Sequence, residues 1–225
     1  MADGLNVNEN QNHLDNNRDD DDDDLPQLSA HALAALQEFY KEEKQKQEKE
    51  ASEGNTDIDE NWQLSQFWYN DETALTLAEE ALRAASNGRI ACLCAPTLFK
   101  KLLEIKPAGC EAKIFEFDRR FDVFGEDFVF YDYNKPLDLP DSITECSFDV
   151  VFADPPFLSE ECLTKTAQTM KYLSKERIIL CTGQVMEELA YKLLGLTPCK
   201  FKPIHSRNLS NPFSCFVNYD SGLNK

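Results

Sequence analysis

The sequence lacks any long apolar run. No stretch of its 225 residues approaches the roughly 18 apolar residues that suggest a membrane-spanning helix. The first thirty residues are rich in Asn and Asp and contain no apolar core of a signal peptide. We therefore expect a soluble, cytoplasmic protein with no membrane partner. Its 42% hydrophobic content is nonetheless sufficient to fill the core of one domain.

Side chains that bind metals are scarce. The chain has three scattered histidines, and Cys92-x-Cys94 has the wrong spacing for a zinc knuckle. The eight cysteines lie mostly inside apolar runs and not at the loop spacings of a small secreted scaffold. We predict reduced core thiols, no metal site and, because no cysteine adjoins a suitable histidine base, no thiol nucleophile.

Basic residues are also few. The chain has 23 Lys and Arg against 41 Asp and Glu, a net charge of −18. Residues 1–60 hold 18 acidic and 5 basic residues, so residues 61–225 carry a net charge of only −5. Even this part is not basic, whereas nucleic-acid-binding proteins normally neutralise phosphates with clustered Lys and Arg. Charge therefore argues against DNA or RNA as substrate and favours a basic or neutral protein partner.

Composition divides the chain into three parts. Residues 1–26 form an acidic tail, and its run Asp19 to Asp24 repels itself in any compact state, which predicts disorder. Residues 27–60 contain a predicted helix over residues 28–50 and then a linker. Residues 61–225 form the main domain.

In the main domain, short apolar runs alternate with helical patterns. An aromatic segment precedes a helix that Asp71 is expected to cap, and Asn87-Gly88 is expected to end that helix in the left-handed conformation. Strands are predicted over residues 89–95, 113–117, 128–131, 149–153, 177–182, 199–204 and 213–219. Further helices are predicted over residues 97–106, 159–172 and 185–194.

This alternation indicates a parallel sheet with helices on both faces. The last two strands are separated only by turn-rich residues 205–212, which favours an antiparallel pair. The predicted fold class is α/β: a Rossmann-like seven-stranded methyltransferase fold, with a mostly parallel sheet and a C-terminal antiparallel hairpin.

The most specific motif is Asp154-Pro155-Pro156-Phe157, directly after an apolar strand. The prolines donate no backbone hydrogen bond, so nearby carbonyls stay free to accept from a substrate amine. Asp154 can accept from the same amine, and Phe157 can lie over it. A lysine amine, with a reference pKa of roughly 10.4, must lose a proton before it attacks a sulfonium methyl. We predict that these four residues are catalytic, with Asp154 orienting the amine and helping to deprotonate it. The alternative is a stiff loop without chemistry.

Other strand ends supply candidate cofactor contacts, because ligands of doubly wound sheets bind beyond the carboxyl ends of the strands. Ala95 and Pro96 follow the first strand, where the usual glycine-rich loop is missing, so a plain turn is the alternative. Glu116 is the first candidate for the ribose hydroxyls, with Asp118 as a second contact or a helix cap. Asp132 is a candidate for the adenine amino group, or else a turn former.

The aromatic run Phe67-Trp68-Tyr69 lies ahead of these strands. Its rings can wall the cofactor or substrate pocket, and Trp68 is the candidate cofactor contact. The alternative is that the run belongs to the core, as aromatic residues at helical spacing usually do.

Several segments, taken in order, resemble the eukaryotic elongation factor 1-alpha lysine methyltransferases, a family earlier described as N6-adenine-specific DNA methyltransferase-like. The segments are residues 27–36, 63–69, 115–118, 131–134, 153–157 and 217–220. The resemblance implies a seven-stranded methyltransferase fold, S-adenosylmethionine as donor and a lysine of translation elongation factor 1-alpha as acceptor. It also implies that the missing glycine-rich loop is tolerated. The acidic tail departs from the family pattern. We expect a monomer.

Two other functions stay open. An adenine-N6 methyltransferase uses the same Asp-Pro-Pro-aromatic device, although base-extruding enzymes need a basic groove that this chain does not show. A catalytically silent binding module is the second alternative, and the missing glycine-rich loop is its main support.

Overall fold

The computed structural model describes Glu38 and residues 58–207, 209 and 211–224. Apart from Glu38, the predicted acidic tail, the predicted helix over residues 28–50 and most of the linker lie outside the described residues. The described residues from 58 onward belong to one compact unit that spans residues 45–225.

In the described part of the chain, seven strands form one sheet in the order β3-β2-β1-β4-β5-β7-β6. Strands β1 to β5 pair in parallel, and β7 lies antiparallel between β5 and β6. The predicted α/β fold with an antiparallel C-terminal pair is therefore confirmed. The strands are β1 Arg89–Leu93, β2 Glu111–Glu116, β3 Phe128–Phe130, β4 Phe148–Ala153, β5 Ser174–Gly183, β6 Thr197–Pro198 and β7 Phe213–Val217.

Helices cover both faces of this sheet. The α-helices are α1 Asp71–Ala85, α2 Pro96–Ile105, α3 Glu160–Leu173 and α4 Glu187–Leu194. Short 3-10 helices span Trp62–Leu64, Arg119–Asp127, Gln184–Met186 and Gly222–Asn224. Each helix among the described residues is too short or too polar to cross a membrane.

The alternation of side chains along each strand creates two hydrophobic cores. Ile90 and Cys92 of β1 belong to the core that contains residues of α1 and α2, whereas Ala91 and Leu93 belong to the core that contains residues of α3 and α4. Because both faces are covered, the central strands are apolar at nearly every position instead of alternating. This pattern is the reason why the sequence predicts the parallel strands well.

The start and end of α1 differ in detail from the predictions. Asn70, and not Asp71, is the N-cap, and its side chain accepts a hydrogen bond from the Thr73 amide at 2.8 Å. At the other end Ser86 and Asn87 adopt the left-handed conformation, with φ of 50° and 65°, while Gly88 does not. The prediction of a left-handed Gly88 was therefore wrong.

Gly88 is required for a close approach of two strands. A Cβ atom added to it would overlap Asp149 Oδ2 and would also lie 2.9 Å from the Ala85 carbonyl oxygen. Asp149 Oδ2 is held in place because it accepts a hydrogen bond from the Arg89 amide at 2.8 Å. The absence of a side chain, and not conformational freedom, thus explains this glycine.

The predicted strand over residues 199–204 was wrong. The sixth strand is the short Thr197–Pro198, which ends before the predicted one begins. The run starts against the sheet, because the Cys199 amide donates to the Cys215 carbonyl of β7 at 2.8 Å. It ends away from the sheet, because the Ile204 carbonyl accepts a hydrogen bond from the Asn70 amide of the segment before α1 at 2.9 Å. Pro203 has no amide hydrogen, which disfavours ladder pairing at that position.

We expect Gly88→Ala to destabilise the fold. The added methyl group must displace the Asp149 carboxylate, and overpacking of this kind lowers the free energy of unfolding by about 1–3 kcal/mol. Urea unfolding of wild type, Gly88→Ala, Asp149→Ala and the double variant measures the coupling between the two positions. If Gly88→Ala lowers the free energy of unfolding by the same amount in wild type and in Asp149→Ala, then Asp149 is not the obstacle.

Candidate active site

A cavity of about 540 Å³ lies at the carboxyl ends of the parallel strands. Its walls come from the segments that follow β1, β2, β3 and β4, from the aromatic segment before α1, and from the loop before β7. The lining residues are 63–69, 94–97, 116–117, 131–134, 154–158, His205, Leu209, Asn211 and Phe213.

Nearly all the predicted site residues line this single cavity. They are Trp68, Ala95, Pro96, Glu116, Asp132, Asp154, Pro155, Pro156 and Phe157. Asp118 is not among the lining residues that the structure describes. The structure therefore brings together segments from four strand ends, although the chemical role of each residue stays a prediction.

The segment after β1 replaces the usual glycine-rich loop with a strained cysteine. Cys94 has a φ of 53°, a left-handed conformation that side chains other than glycine rarely adopt. Its amide donates to the Phe115 carbonyl of β2 at 2.9 Å, which fixes the turn. Ala95 is the N-cap of α2 and Pro96 follows it, and this cap makes no side-chain hydrogen bond to the helix. The amino end of α2 is thus open to polar groups in the cavity.

Glu116 is the last residue of β2, and one of its two carboxylate oxygens accepts hydrogen bonds from the protein. Its Oε1 accepts from the Phe117 amide at 3.1 Å, from the Asp118 amide at 3.3 Å and from Gln66 Nε2 at 3.5 Å. Among the described residues Oε2 has no hydrogen-bond partner, so it can accept from a ligand. Burial raises the pKa of Glu116 to about 7, against the opposing effect of these hydrogen bonds.

Asp118 is held by a protein partner instead. Its Oδ2 lies 2.6 Å from Arg120 Nη2, and its Oδ1 accepts from the Arg120 amide at 3.0 Å. The side chain thereby caps the following 3-10 helix. Of the two roles considered for this residue, the cap is the one visible in the structure, and the cofactor contact stays a prediction.

Asp132 forms a turn at the cavity wall. Its Oδ1 accepts from the Asn134 amide at 2.9 Å, and its carbonyl accepts from the Lys135 amide at 2.8 Å. Because the residue also lines the cavity, the turn leaves its carboxylate able to contact a ligand. Turn formation and ligand contact are therefore compatible here.

Asp154 lies where β4 ends. Its amide still donates to the Leu93 carbonyl at 3.0 Å, so the residue is positioned by the parallel ladder. Pro155 then ends the pairing, and Phe157 contacts Tyr133 with ring centroids 5.8 Å apart while remaining 43% exposed. Loss of hydration raises the pKa of Asp154 to about 7, and the negative charge of Glu116 adds to the rise.

Two further residues line the site: Tyr69, which the sequence marked only as part of the aromatic run that can wall the pocket, and His205, for which it predicted no role. The Tyr69 hydroxyl donates to Asp154 Oδ2 at 2.6 Å, and the His205 ring lies 4.8 Å from the Tyr69 ring. Burial lowers the pKa of His205 to about 4, so this imidazole is neutral near pH 7. The only sequence signal was the aromatic run that contains Tyr69.

Trp68 combines a cavity position with an unsatisfied polar atom. Its indole Nε1 is buried and has no hydrogen-bond partner among the described residues. The Lys100 ammonium lies 4.6 Å from the centroid of its ring. A buried donor without a partner is rare, and this one belongs to a residue of the cavity wall.

The charged residues of the cavity wall are all acidic. Glu116, Asp132 and Asp154 line it, whereas none of the described lining residues is Lys or Arg. Such a wall attracts a cation and repels phosphate.

We expect Cys94→Gly to be tolerated and Cys94→Val to be destabilising. A left-handed conformation costs a side chain roughly 1–2 kcal/mol, which glycine avoids, and a β-branched residue is worse. Thermal unfolding checks this, with Ser86→Gly as a matched left-handed position outside the cavity. Equal melting temperatures for Cys94→Gly and Cys94→Val would show that backbone strain at position 94 is not significant.

Comparisons with known proteins place the chain in a family. The family model described as Probable N6-adenine methyltransferase matches residues 60–221. The chain is 59% identical over 208 residues to EEF1A lysine methyltransferase 1 of Homo sapiens, covering 91% of this chain and 97% of that protein. It is 41% identical over 229 residues to Protein-lysine N-methyltransferase EFM5 of Saccharomyces cerevisiae, covering 86% of this chain and 92% of the yeast protein.

A solved structure supports the fold. The branched-chain polyamine synthase C9 mutein from Thermus thermophilus superposes with a TM-score of 0.55 at 12% identity, covering 71% of this chain and 58% of the other. At this identity the likeness concerns the fold alone. The curated relatives, by contrast, match at high identity over nearly their full length, and the chain belongs to the EEF1A lysine methyltransferase 1 family, as its motifs predicted.

Proposed function

We propose that the protein is an S-adenosylmethionine-dependent methyltransferase that modifies a lysine of translation elongation factor 1-alpha. The observation that carries this proposal is the acidic cavity at the carboxyl ends of the strands, with Asp154-Pro155-Pro156-Phe157 in its wall. The names of the relatives supply the acceptor, since proteins 59% identical to this chain are called EEF1A lysine methyltransferase 1. A cytoplasmic location and a monomeric state stay predictions.

The lining residues suit a nucleoside that carries positive charge. The free Glu116 Oε2 can accept from ribose hydroxyls, and Asp132 can accept from an adenine amino group. Trp68 and Phe117 add aromatic surface to the same cavity. The donor supplies an electrophilic methyl group on a sulfonium sulfur, and the acidic wall stabilises that charge.

Asp154 is suited to receive the lysine amine. The acidic wall attracts the lysine ammonium, which must then lose a proton to expose its lone pair. With a pKa raised to about 7, the Asp154 carboxylate is a stronger base than an ordinary aspartate and can accept a hydrogen bond or a proton from the amine. Pro155 and Pro156 hold the backbone beside it rigid, which favours alignment of the amine for in-line transfer.

Methylation of adenine is the alternative function. The description of the matching family model names it, and the Asp-Pro-Pro-Phe motif can hold an exocyclic amine as well as an alkyl amine. A flipped base, however, brings phosphates with it, and no described lining residue is a Lys or Arg that could neutralise them. The electrostatics of the cavity therefore favour lysine over adenine.

We expect Asp154→Asn to reduce methyl transfer by at least about 100-fold, the lower range of general acid–base effects. The assay incubates the protein with labelled donor and purified elongation factor 1-alpha, or with RNA or DNA in its place. Asp138→Asn, an exposed aspartate on the loop after β3, is the matched control and should leave the rate unchanged. Label that enters nucleic acid and not protein would establish the adenine alternative, and full activity of Asp154→Asn would remove its catalytic role.

We also expect Glu116→Gln to weaken donor binding about tenfold or more, because hydrogen bonds to a charged acceptor contribute roughly 1.5–3 kcal/mol. Calorimetric titration with S-adenosylmethionine gives the dissociation constant. Glu111→Gln, at the exposed start of the same strand, is the control. An unaltered constant in Glu116→Gln would contradict the ribose assignment, and no binding by the wild-type protein would favour a silent module.

A further inference from the structure

We propose that Tyr69 is a positioning residue for methyl transfer, which occupies Asp154 Oδ2 and so presents Oδ1 to the substrate amine. This inference rests on the proposed function and deepens it. Tyr69 does not itself need to touch the reacting atoms, since it acts through Asp154.

The contact between the two side chains is short and well enclosed. The Tyr69 hydroxyl donates to Asp154 Oδ2 at 2.6 Å, and Tyr69 is 5% exposed. The backbone of Asp154 is held independently, through its amide bond to the Leu93 carbonyl at 3.0 Å. With the backbone and one oxygen fixed, the direction of Oδ1 is determined.

The segment that carries Tyr69 is anchored on both sides. The Ser206 amide donates to the Trp68 carbonyl at 2.8 Å, and the Asn70 amide donates to the Ile204 carbonyl at 2.9 Å. These bonds enclose an antiparallel bridge between Tyr69 and His205. The tyrosine therefore belongs to a two-stranded clasp, formed by residues 68–70 and 204–206, and not to a free loop.

The Tyr69 ring is held as firmly as its backbone. The His205 ring lies 4.8 Å from it at an angle of 37°, and His205 in turn meets Phe213 edge-on with centroids 4.6 Å apart. Because His205 is neutral near pH 7, it adds no charge that would compete for the carboxylate. The row of rings thus fixes the hydroxyl without altering the charge of the site.

While Asp154 is ionised, the hydrogen bond of the pair runs in one direction only. Burial and the neighbouring Asp154 raise the pKa of Tyr69 well above its ordinary value, so the phenol keeps its proton and acts as the donor. The other titratable groups that face the pair are the Cys181 thiol beside Tyr69, and Glu116 and Cys94 near Asp154. Among the described residues, Tyr69, and none of these groups, donates a hydrogen bond to Asp154 Oδ2.

Tyr69→Phe removes the hydroxyl and keeps the ring, so it tests the inference directly. We expect kcat for methylation of elongation factor 1-alpha to fall by about 10- to 100-fold, as for a misaligned catalytic group. The hydrogen bond from Tyr69 lowers the pKa of Asp154, so its loss must raise that pKa. Since the reaction needs ionised Asp154, the acidic limb of the pH–rate profile should move to higher pH. The dissociation constant of S-adenosylmethionine should change less than about twofold, because Tyr69 acts on the amine side.

The matched control is Tyr191→Phe, on α4, whose side chain is 64% exposed. It should leave the rate and the pH profile as in wild type. In the Asp154→Asn background, Tyr69→Phe should add little further loss, because the two residues act as one unit. Circular dichroism and thermal unfolding confirm that each variant is folded.

The outcomes are distinguishable. A lower kcat with an unshifted pH profile, or losses that multiply in the double variant, would reduce Tyr69 to a structural role and overturn the inference. A rate and pH profile of Tyr69→Phe that match those of Tyr191→Phe would overturn it as well. If the wild-type protein transfers no methyl group to elongation factor 1-alpha, the proposed function itself is wrong and the inference falls with it.

Discussion

The desolvation of one carboxylate, Asp154, determines much of the architecture around the cavity. A carboxylate that loses most of its hydration must be hydrogen-bonded or must lose its charge. Here its main-chain position comes from the parallel ladder, and its side-chain partner comes from Tyr69, 85 residues earlier in the chain. The clasp of residues 68–70 and 204–206 is what holds that partner in place. The backbone at Ile204 therefore supports the site and not the sheet.

The fold was predictable to the extent that it depends on burial. Strands covered on both faces need apolar residues at successive positions, and the helices that cover them need a periodic apolar stripe. Both patterns can be recognised in the sequence. The sixth strand shows neither pattern, because Thr197–Pro198 is exposed and short. Residues 199–204 alternate apolar side chains with Lys200 and Lys202, as an edge strand can, but the end of this run connects to the segment before α1. The alternation of side chains does not report which segment the backbone pairs with.

The sequence could predict those site residues that follow directly after predicted strands. Residues after strand ends necessarily meet at one edge of a parallel sheet, which placed Asp154, Glu116 and Asp132 together before any contact was known. The same rule could not separate Glu116 from Asp118, since they lie two residues apart at the end of the same strand. That distinction depends on Arg120, which engages Asp118 and leaves Glu116 Oε2 without a partner. For Tyr69 the only local signal is the aromatic run that contains it, because its contact with Asp154 joins distant segments.

The absence of a glycine-rich loop after β1 is consistent with the chemistry of the proposed donor. In dinucleotide-binding folds, the glycines let the backbone approach a pyrophosphate, whose charge the amino end of the helix stabilises. S-adenosylmethionine has no phosphate and its sulfonium charge is positive, so carboxylates complement its charge better than the amino end of a helix does. The cavity instead presents three carboxylates, and the turn after β1 can carry Cys94 in a left-handed conformation. Methyltransferases of this fold usually keep glycines at this turn all the same, so the charge of the donor alone does not explain their absence. In this chain Cys94 adopts the left-handed conformation that glycine otherwise supplies, and the turn after β1 is therefore kept without glycine.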